Sequence, residues 1–137
     1  MRNLFLKPFL FLLLAVAFVR PAAAIEIREV VSPLGIRAWL VEDRTLPLVA
    51  MRFSFKSGGA FDPPGKDGVT HFLTGMLDEG AGAMDSAQFQ ARREELAFKM
   101  SYDAGFDFFE GSFQTLSRNA GPSFELLKLA VNSPRFD

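Results

Sequence analysis

The sequence predicts an α+β fold in which a mixed, mainly antiparallel sheet packs against helices. Five short stretches are rich in apolar and β-branched residues with strand-like alternation, and three longer stretches have the apolar spacing of helices. Glycine- and proline-containing segments separate these stretches, and no repeat or low-complexity segment interrupts them. Residues 25–137 are therefore expected to form one domain, after a separate segment at residues 1–24.

The strands fall into two antiparallel groups. Residues 26–31 and 36–42 predict a hairpin around the turn at 32–35, and residues 48–55 predict a third strand. Residues 99–103 and 107–116 predict a further pair. Alternation gives one inward row in each of the two longer strands; these rows are Val49, Met51, Phe53 and Phe55, and then Phe109, Gly111 and Phe113.

Three helices are predicted from spacing and caps. The first covers residues 67–77 with Asp67 as its N-cap, the second starts at Asp85 or Ser86 and ends at 97 or 98, and the third covers residues 122–131. The charged run at 92–95 is expected to be mostly solvated. The spacing of Phe89, Arg93 and Leu96 gives the second helix an amphipathic face, and the third helix presents Phe124, Leu127 and Val131.

The first predicted helix carries His71, followed by Thr74 and Gly75. This spacing resembles the inverted His-x-x-Glu-His motif of the insulinase/pitrilysin family of zinc metallopeptidases. The resemblance covers nearly all of residues 25–137, is most specific at 57–77, and implies the N-terminal part of that family's domain. Because the family's domains are much longer, an end at Asp137 is expected for a fragment or a truncated reading frame.

Only one of the three key residues of the metal motif is present in this sequence. Thr74 stands where the family has its glutamate base, and Gly75 stands where it has its second histidine ligand. Catalytic zinc takes three protein ligands and a water, and a threonine hydroxyl does not accept a proton at ordinary pH. The family's last ligand, a glutamate, would fall beyond Asp137. We therefore expect no catalytic residue, no metal ligand and no cofactor, and we call His71, Thr74 and Gly75 the motif remnant.

The sequence also allows other interpretations. Asp78 and Glu79 could join His71 in a displaced zinc site, which would make the chain a zinc-dependent endopeptidase, or the chain could be a truncated, non-functional fragment. The glycines at 58–59 and 80–82 could cradle a phosphate, but no Gly-Lys-Ser/Thr follows either pair, so turns are favoured.

Residues 1–24 have the pattern of a secretory signal peptide. Arg2 and Lys7 precede an apolar run at 9–19, and small residues at 22–24 form a cleavage site. The run is shorter than the roughly 20 residues that span a bilayer, although an uncleaved anchor is the alternative. The chain is therefore expected to be periplasmic or secreted, with no membrane association after cleavage.

We expect cleavage after Ala24, because Ala22 and Ala24 meet the small-residue requirement of signal peptidase. Mass spectrometry of the exported chain should give Ile25 as its N-terminus. Recovery of the full-length chain in the membrane fraction would favour an anchor instead.

The composition limits the classes of partner that the chain is expected to bind. Removal of residues 1–24 leaves 12 basic side chains against 16 acidic ones, a formal charge of −4, and the basic residues are scattered, so nucleic acid is not expected. The absence of cysteine excludes disulfides and thiolate chemistry. The resemblance implies a peptide or an active insulinase/pitrilysin-type subunit as partner, in a hetero-oligomer. An edge strand such as residues 48–55 could bind an extended peptide by strand addition.

Overall fold

The protein is described by a computed structural model over residues 25–137, so the predicted signal peptide lies outside the described residues. The described residues divide into two compact units, one that ends at Asp43 and one that comprises Arg44–Asp137. Between residues 25 and 137, no helix has the length and apolarity needed to cross a membrane.

The described part of the first unit is a hairpin. Strands β1 (Ile27–Val31) and β2 (Arg37–Val41) pair antiparallel, with Ile27 opposite Val41. In the connecting turn the backbone N–H of Gly35 donates to the carbonyl oxygen of Ser32 at 2.9 Å, and Gly35 has φ of 84°, a conformation that favours glycine. The predicted hairpin is confirmed.

The second unit is built on a three-stranded antiparallel sheet. Strands β3 (Leu48–Lys56), β4 (Lys99–Ala104) and β5 (Phe108–Leu116) lie in the order β3-β5-β4, with β5 in the centre. Strand β3 pairs with β5 along its whole length. Strand β4 pairs with residues 109–114 of β5, with Lys99 opposite Gln114 and Ala104 opposite Phe109. Within this unit both β3 and β4 therefore lie at the outside of the sheet.

One face of this sheet packs against helices α2 (Ser86–Glu95) and α3 (Ala120–Asn132). Val49, Met51 and Phe53 contact the core as predicted, whereas Phe55 is 53% exposed near the end of its strand. The predicted inward row of β5 is confirmed. The buried core comprises Ala81, Phe89, Leu96, Phe98, Met100, Phe113, Leu126, Leu127 and Ala130. The α+β fold with a mainly antiparallel sheet packed against helices is thus the fold observed.

Helix α2 begins as predicted and ends earlier than predicted. The Asp85 carboxylate accepts the backbone N–H of Gln88 at 2.8 Å, and the Gln88 side chain accepts the backbone N–H of Asp85 at 3.1 Å, which forms a capping box. At the other end Ala97 has φ of 49°, and the backbone N–H of Phe98 donates to the carbonyl oxygen of Arg93. This Schellman arrangement stops the helix before 97, so the expected end at 97 or 98 is wrong.

Helix α3 begins at Ala120 rather than 122 and presents a different face from the predicted one. Its buried residues are Ser123, Leu126, Leu127 and Ala130, which follow the i, i+3, i+4, i+7 spacing of a helix face. Ser123 is buried because its hydroxyl bonds the hydroxyl of Thr115 at 2.8 Å. Phe124 is 40% exposed and Val131 is 42% exposed, so only Leu127 of the predicted set is buried.

Candidate functional site

Helix α1 (Val69–Thr74) carries the motif remnant and is shorter than the predicted 67–77. Its N-cap is Gly68 rather than Asp67, because the carboxylate of Asp62 in the preceding loop accepts the backbone N–H groups of Gly68 at 2.6 Å and Thr70 at 3.0 Å. The Thr70 hydroxyl also donates to Asp62, and this bond is the main reason that the pKa of Asp62 lies below its ordinary value. An upstream carboxylate thus fixes the start of the helix.

The three motif positions supply a single imidazole. The His71 side chain is exposed, and the Thr74 hydroxyl donates to the carbonyl oxygen of His71 at 2.7 Å, so it is engaged with backbone. Gly75 is the C-cap of the helix and has no side chain to offer. Among residues 25–137 no group of three or more His, Cys, Asp or Glu side chains is placed to hold a metal ion. The residues present therefore do not fit the zinc ion of the family motif.

The two acidic residues that could have replaced the missing ligands are engaged elsewhere. Asp78 accepts from the guanidinium of Arg93 at 2.8 Å, and its carbonyl oxygen accepts from the side chain of Gln90 at 3.1 Å. Glu79 accepts from the hydroxyl of Ser86 at 2.5 Å. Both carboxylates tie the end of the motif segment to α2, which is a structural role. Arg93 is accordingly only 18% exposed in its side chain, not mostly solvated as predicted.

The fold itself does not require glycine at 75. Its backbone has φ of −84°, and a Cβ added there would meet only the carbonyl oxygen of Phe72, at 3.7 Å, an ordinary contact. A histidine side chain therefore has room to begin at this position.

We expect the double substitution Thr74→Glu with Gly75→His to give at most weak zinc affinity and no peptide hydrolysis. Two histidines and a base would be restored, yet the downstream glutamate that the family resemblance implies as a third ligand is not among residues 25–137. Zinc titration by calorimetry checks this, with His71→Ala added to the same chain as the control that removes the first ligand. Hydrolysis of a peptide by the double variant alone would show that the expectation is wrong.

The glycine pairs are turns. The backbone N–H groups of Gly59 and Gly82 donate to the carbonyl oxygens of Gly105 at 3.0 Å and Ser133 at 2.8 Å. A Cβ at Gly58 would lie 2.4 Å from the oxygen of Gly105, so this close approach of two backbones requires glycine. These two donors already have partners in the chain, which agrees with the turn interpretation.

Strand β4 lies beside the motif helix, with which it is in contact. The backbone N–H of Gly105 donates to the carbonyl oxygen of Phe108 at 2.9 Å, and hydrogen-bonded pairs alternate along an antiparallel ladder. Ser101 and Asp103 therefore turn their backbone groups toward β5, whereas Met100 and Tyr102 turn theirs away. No strand of the described chain pairs with this side, and we call these outward backbone groups the β4 edge.

The two faces of β4 differ in character. Met100 and Tyr102 lie on the core side, where the Tyr102 ring contacts Phe53 and Phe109. Burial, together with the nearby Asp78 carboxylate, raises the pKa of Tyr102 to about 12, so its hydroxyl stays protonated near neutral pH. On the other face Lys99, Ser101 and Asp103 are exposed. A shallow concavity of about 290 Å³ lies over this sheet; Arg52, Phe53, Ser54, Ser101, Tyr102, Asp103, Glu110, Gly111 and Ser112 line it.

The sequence indicated β3 as the strand for peptide addition, but it is β4 that contacts the motif helix. Among residues 25–137, His71 belongs to no group of three or more side chains that could hold a metal ion. Strand β4 was missed as a candidate because alternation identifies the faces of a strand and not its neighbours. The available signal was its short length together with a lysine and an aspartate on its exposed face.

Comparison with known proteins gives a consistent fold. No family model matches the chain, and no curated protein matches it. The chain is similar to a crystal structure of a peptidase M16 inactive domain from Pseudomonas fluorescens, with a TM-score of 0.74 and 25% identity, over 82% of this chain and 28% of that one. It also shares the fold of a protease from Helicobacter pylori, with a TM-score of 0.67 and 18% identity, over 82% of this chain and 27% of that one.

These neighbours define a fold class. Over the 82% of the chain that these structures cover, it has an M16-like, or insulinase-like, fold, in agreement with the resemblance seen in the sequence. The chain spans just over a quarter of the length of either solved structure.

Proposed function

We propose that this chain is a non-catalytic homologue of M16 peptidases that binds an extended peptide by strand addition at the β4 edge. The observation that carries the proposal is the contact between strand β4 and the motif helix. That helix retains one histidine and has neither a second histidine nor a glutamate at the motif positions. Strand addition uses backbone hydrogen bonds and needs no metal, so it survives the loss of the motif.

Two further observations support a binding role. The β4 edge presents backbone donors and acceptors at two alternate residues, Met100 and Tyr102, which is the spacing that an added strand matches. The Pseudomonas structure is described as an inactive M16 domain, so a member of this fold without activity has a precedent. We propose in addition that the chain is exported and acts beside an active, metal-bearing subunit, as the resemblance implies.

Backbone methylation of the ligand tests strand addition without altering the protein. A fluorescein-labelled neutral peptide of alternating valine and threonine is prepared in two forms, each N-methylated at one of the two alternate sets of amides. Only one set faces β4, so we expect one form to lose binding by about tenfold or more, through lost hydrogen bonds and steric block, and the other to bind like the parent. Fluorescence anisotropy measures both affinities.

The same samples report catalysis. Chromatography after prolonged incubation should recover the parent peptide intact. Equal loss of affinity in both methylated forms, or no loss in either, would contradict strand addition. Cleavage of the parent peptide by the purified chain would contradict the non-catalytic assignment.

A further inference from the structure

The exposed face of β4 carries a charge polarity along the strand. Lys99 lies at its start and Asp103 near its end, with Ser101 between them, and all three side chains are exposed on the same face. In the described part of the chain none of the three takes part in an ion pair. The strand thus has a basic end and an acidic end, and Arg52 of β3 lines the same concavity as Asp103 and Glu110.

Strand β5 adds a second carboxylate next to the acidic end of β4. Asp103 lies directly opposite Glu110, and Lys99 lies opposite the neutral Gln114. Like charges directly opposite in a sheet are destabilising, so a cation near Asp103 would relieve this pair. The Asp103 carboxylate is also oriented, because it accepts the backbone N–H of Ala104 at 2.9 Å.

The ladder geometry determines which ligand residues meet these charges. The backbone groups of Lys99, Ser101 and Asp103 point toward β5, so on the opposite side these residues occupy non-hydrogen-bonded positions, where facing side chains are closest. A strand added antiparallel would place one residue opposite Asp103 and the residue four positions later opposite Lys99. The residues at the second and fourth positions would face Tyr102 and Met100 on the core side.

Resting on the proposed strand addition, we infer that the β4 edge selects an extended peptide with a basic residue followed four positions later by an acidic residue, bound antiparallel to β4. The basic side chain lies beside Asp103 and Glu110, the acidic one lies beside Lys99, and the intervening second and fourth residues are apolar. Antiparallel pairing is the more stable arrangement per residue, and it aligns this charge order with the strand. Lys99 and Asp103 are then the residues that determine specificity.

Two peptides of identical composition test the inference on the full chain. One contains Lys-Val-Thr-Val-Glu and the other Glu-Val-Thr-Val-Lys, with the same neutral flanks, blocked ends and fluorophore. We expect the first to bind about two- to tenfold more tightly, since two cross-strand charge pairs change sign between them. The charge-swapped variant Lys99→Asp with Asp103→Lys should reverse the preference.

A swap elsewhere provides the control. Glu125→Lys with Lys128→Asp exchanges an exposed pair on α3, where the side chains are 74% and 69% exposed, and leaves the net charge unchanged. This variant should keep the wild-type preference. Equal binding of the two peptides, or a preference that persists in the β4 swap, would overturn the inference while leaving strand addition intact. Failure of both peptides to bind any of the chains would overturn strand addition and the inference together.

Discussion

Replacement of Phe89 by alanine should destabilise the mature chain by about 3–5 kcal/mol. The ring is fully buried, at 0% exposure, and lies in the core between helices and sheet with Ala81 and Leu126. Its removal loses the transfer free energy of the ring and leaves a cavity that the surrounding backbone fills only in part. Denaturant unfolding followed by circular dichroism measures the change as a shift of the midpoint at constant slope.

Phe106→Ala is the matched control. Phe106 has the same side chain and lies in the turn between β4 and β5, where it is 73% exposed. Its replacement should change the free energy of unfolding by no more than about 0.5 kcal/mol. Similar losses in the two variants would mean that the core is not packed as described.

Replacement of Gly111 by alanine should also destabilise strongly, by about 1–3 kcal/mol. Gly111 lies directly opposite Phe53, whose ring covers it, and an added Cβ would lie 2.1 Å from the ring. The ring must therefore move, and it is held on its other sides by Phe55 and Tyr102. A small methyl group thus displaces an aromatic cluster on the core face of β3.

Gly121→Ala provides the comparison for this prediction. Gly121 lies in the first turn of α3, and a Cβ there would meet nothing within 4 Å. This variant should be neutral or more stable by up to about 1 kcal/mol, since alanine favours helix. Adding Phe53→Leu to Gly111→Ala should recover part of the lost stability by making room. No recovery, with equal effects at 111 and 121, would contradict the packing of Phe53 over Gly111.

The strands were predicted well from local sequence patterns, because the alternation of apolar and polar residues depends only on residues that are close together in the chain. The alternation of Val49, Met51 and Phe53, and the cap at Asp85, are properties of short segments. The helix ends were harder to predict. Ala97 adopts a left-handed conformation that alanine does not signal, and Asp62 caps the first helix from a distant loop.

The remaining differences between the predicted and the observed structure arise from contacts between residues that are far apart in the sequence. The buried face of α3 includes Ser123, a polar residue that is buried only because Thr115 of β5 bonds it. The candidate site could likewise be predicted only in part from the sequence. The motif's missing glutamate base, at Thr74, and its missing second histidine, at Gly75, could be recognised in the sequence. The position of β4 beside the motif helix required the sheet order.

The central claim is that this M16-type fold carries no catalytic metal site of its own. The most direct test of this claim is the zinc content of the purified mature chain. After dialysis against a weak chelator, elemental analysis by mass spectrometry should find far less than one zinc per chain, because His71 is the sole histidine and cysteine is absent. One zinc per chain, lost on His71→Ala, would show that the chain binds zinc through His71 and would contradict this claim.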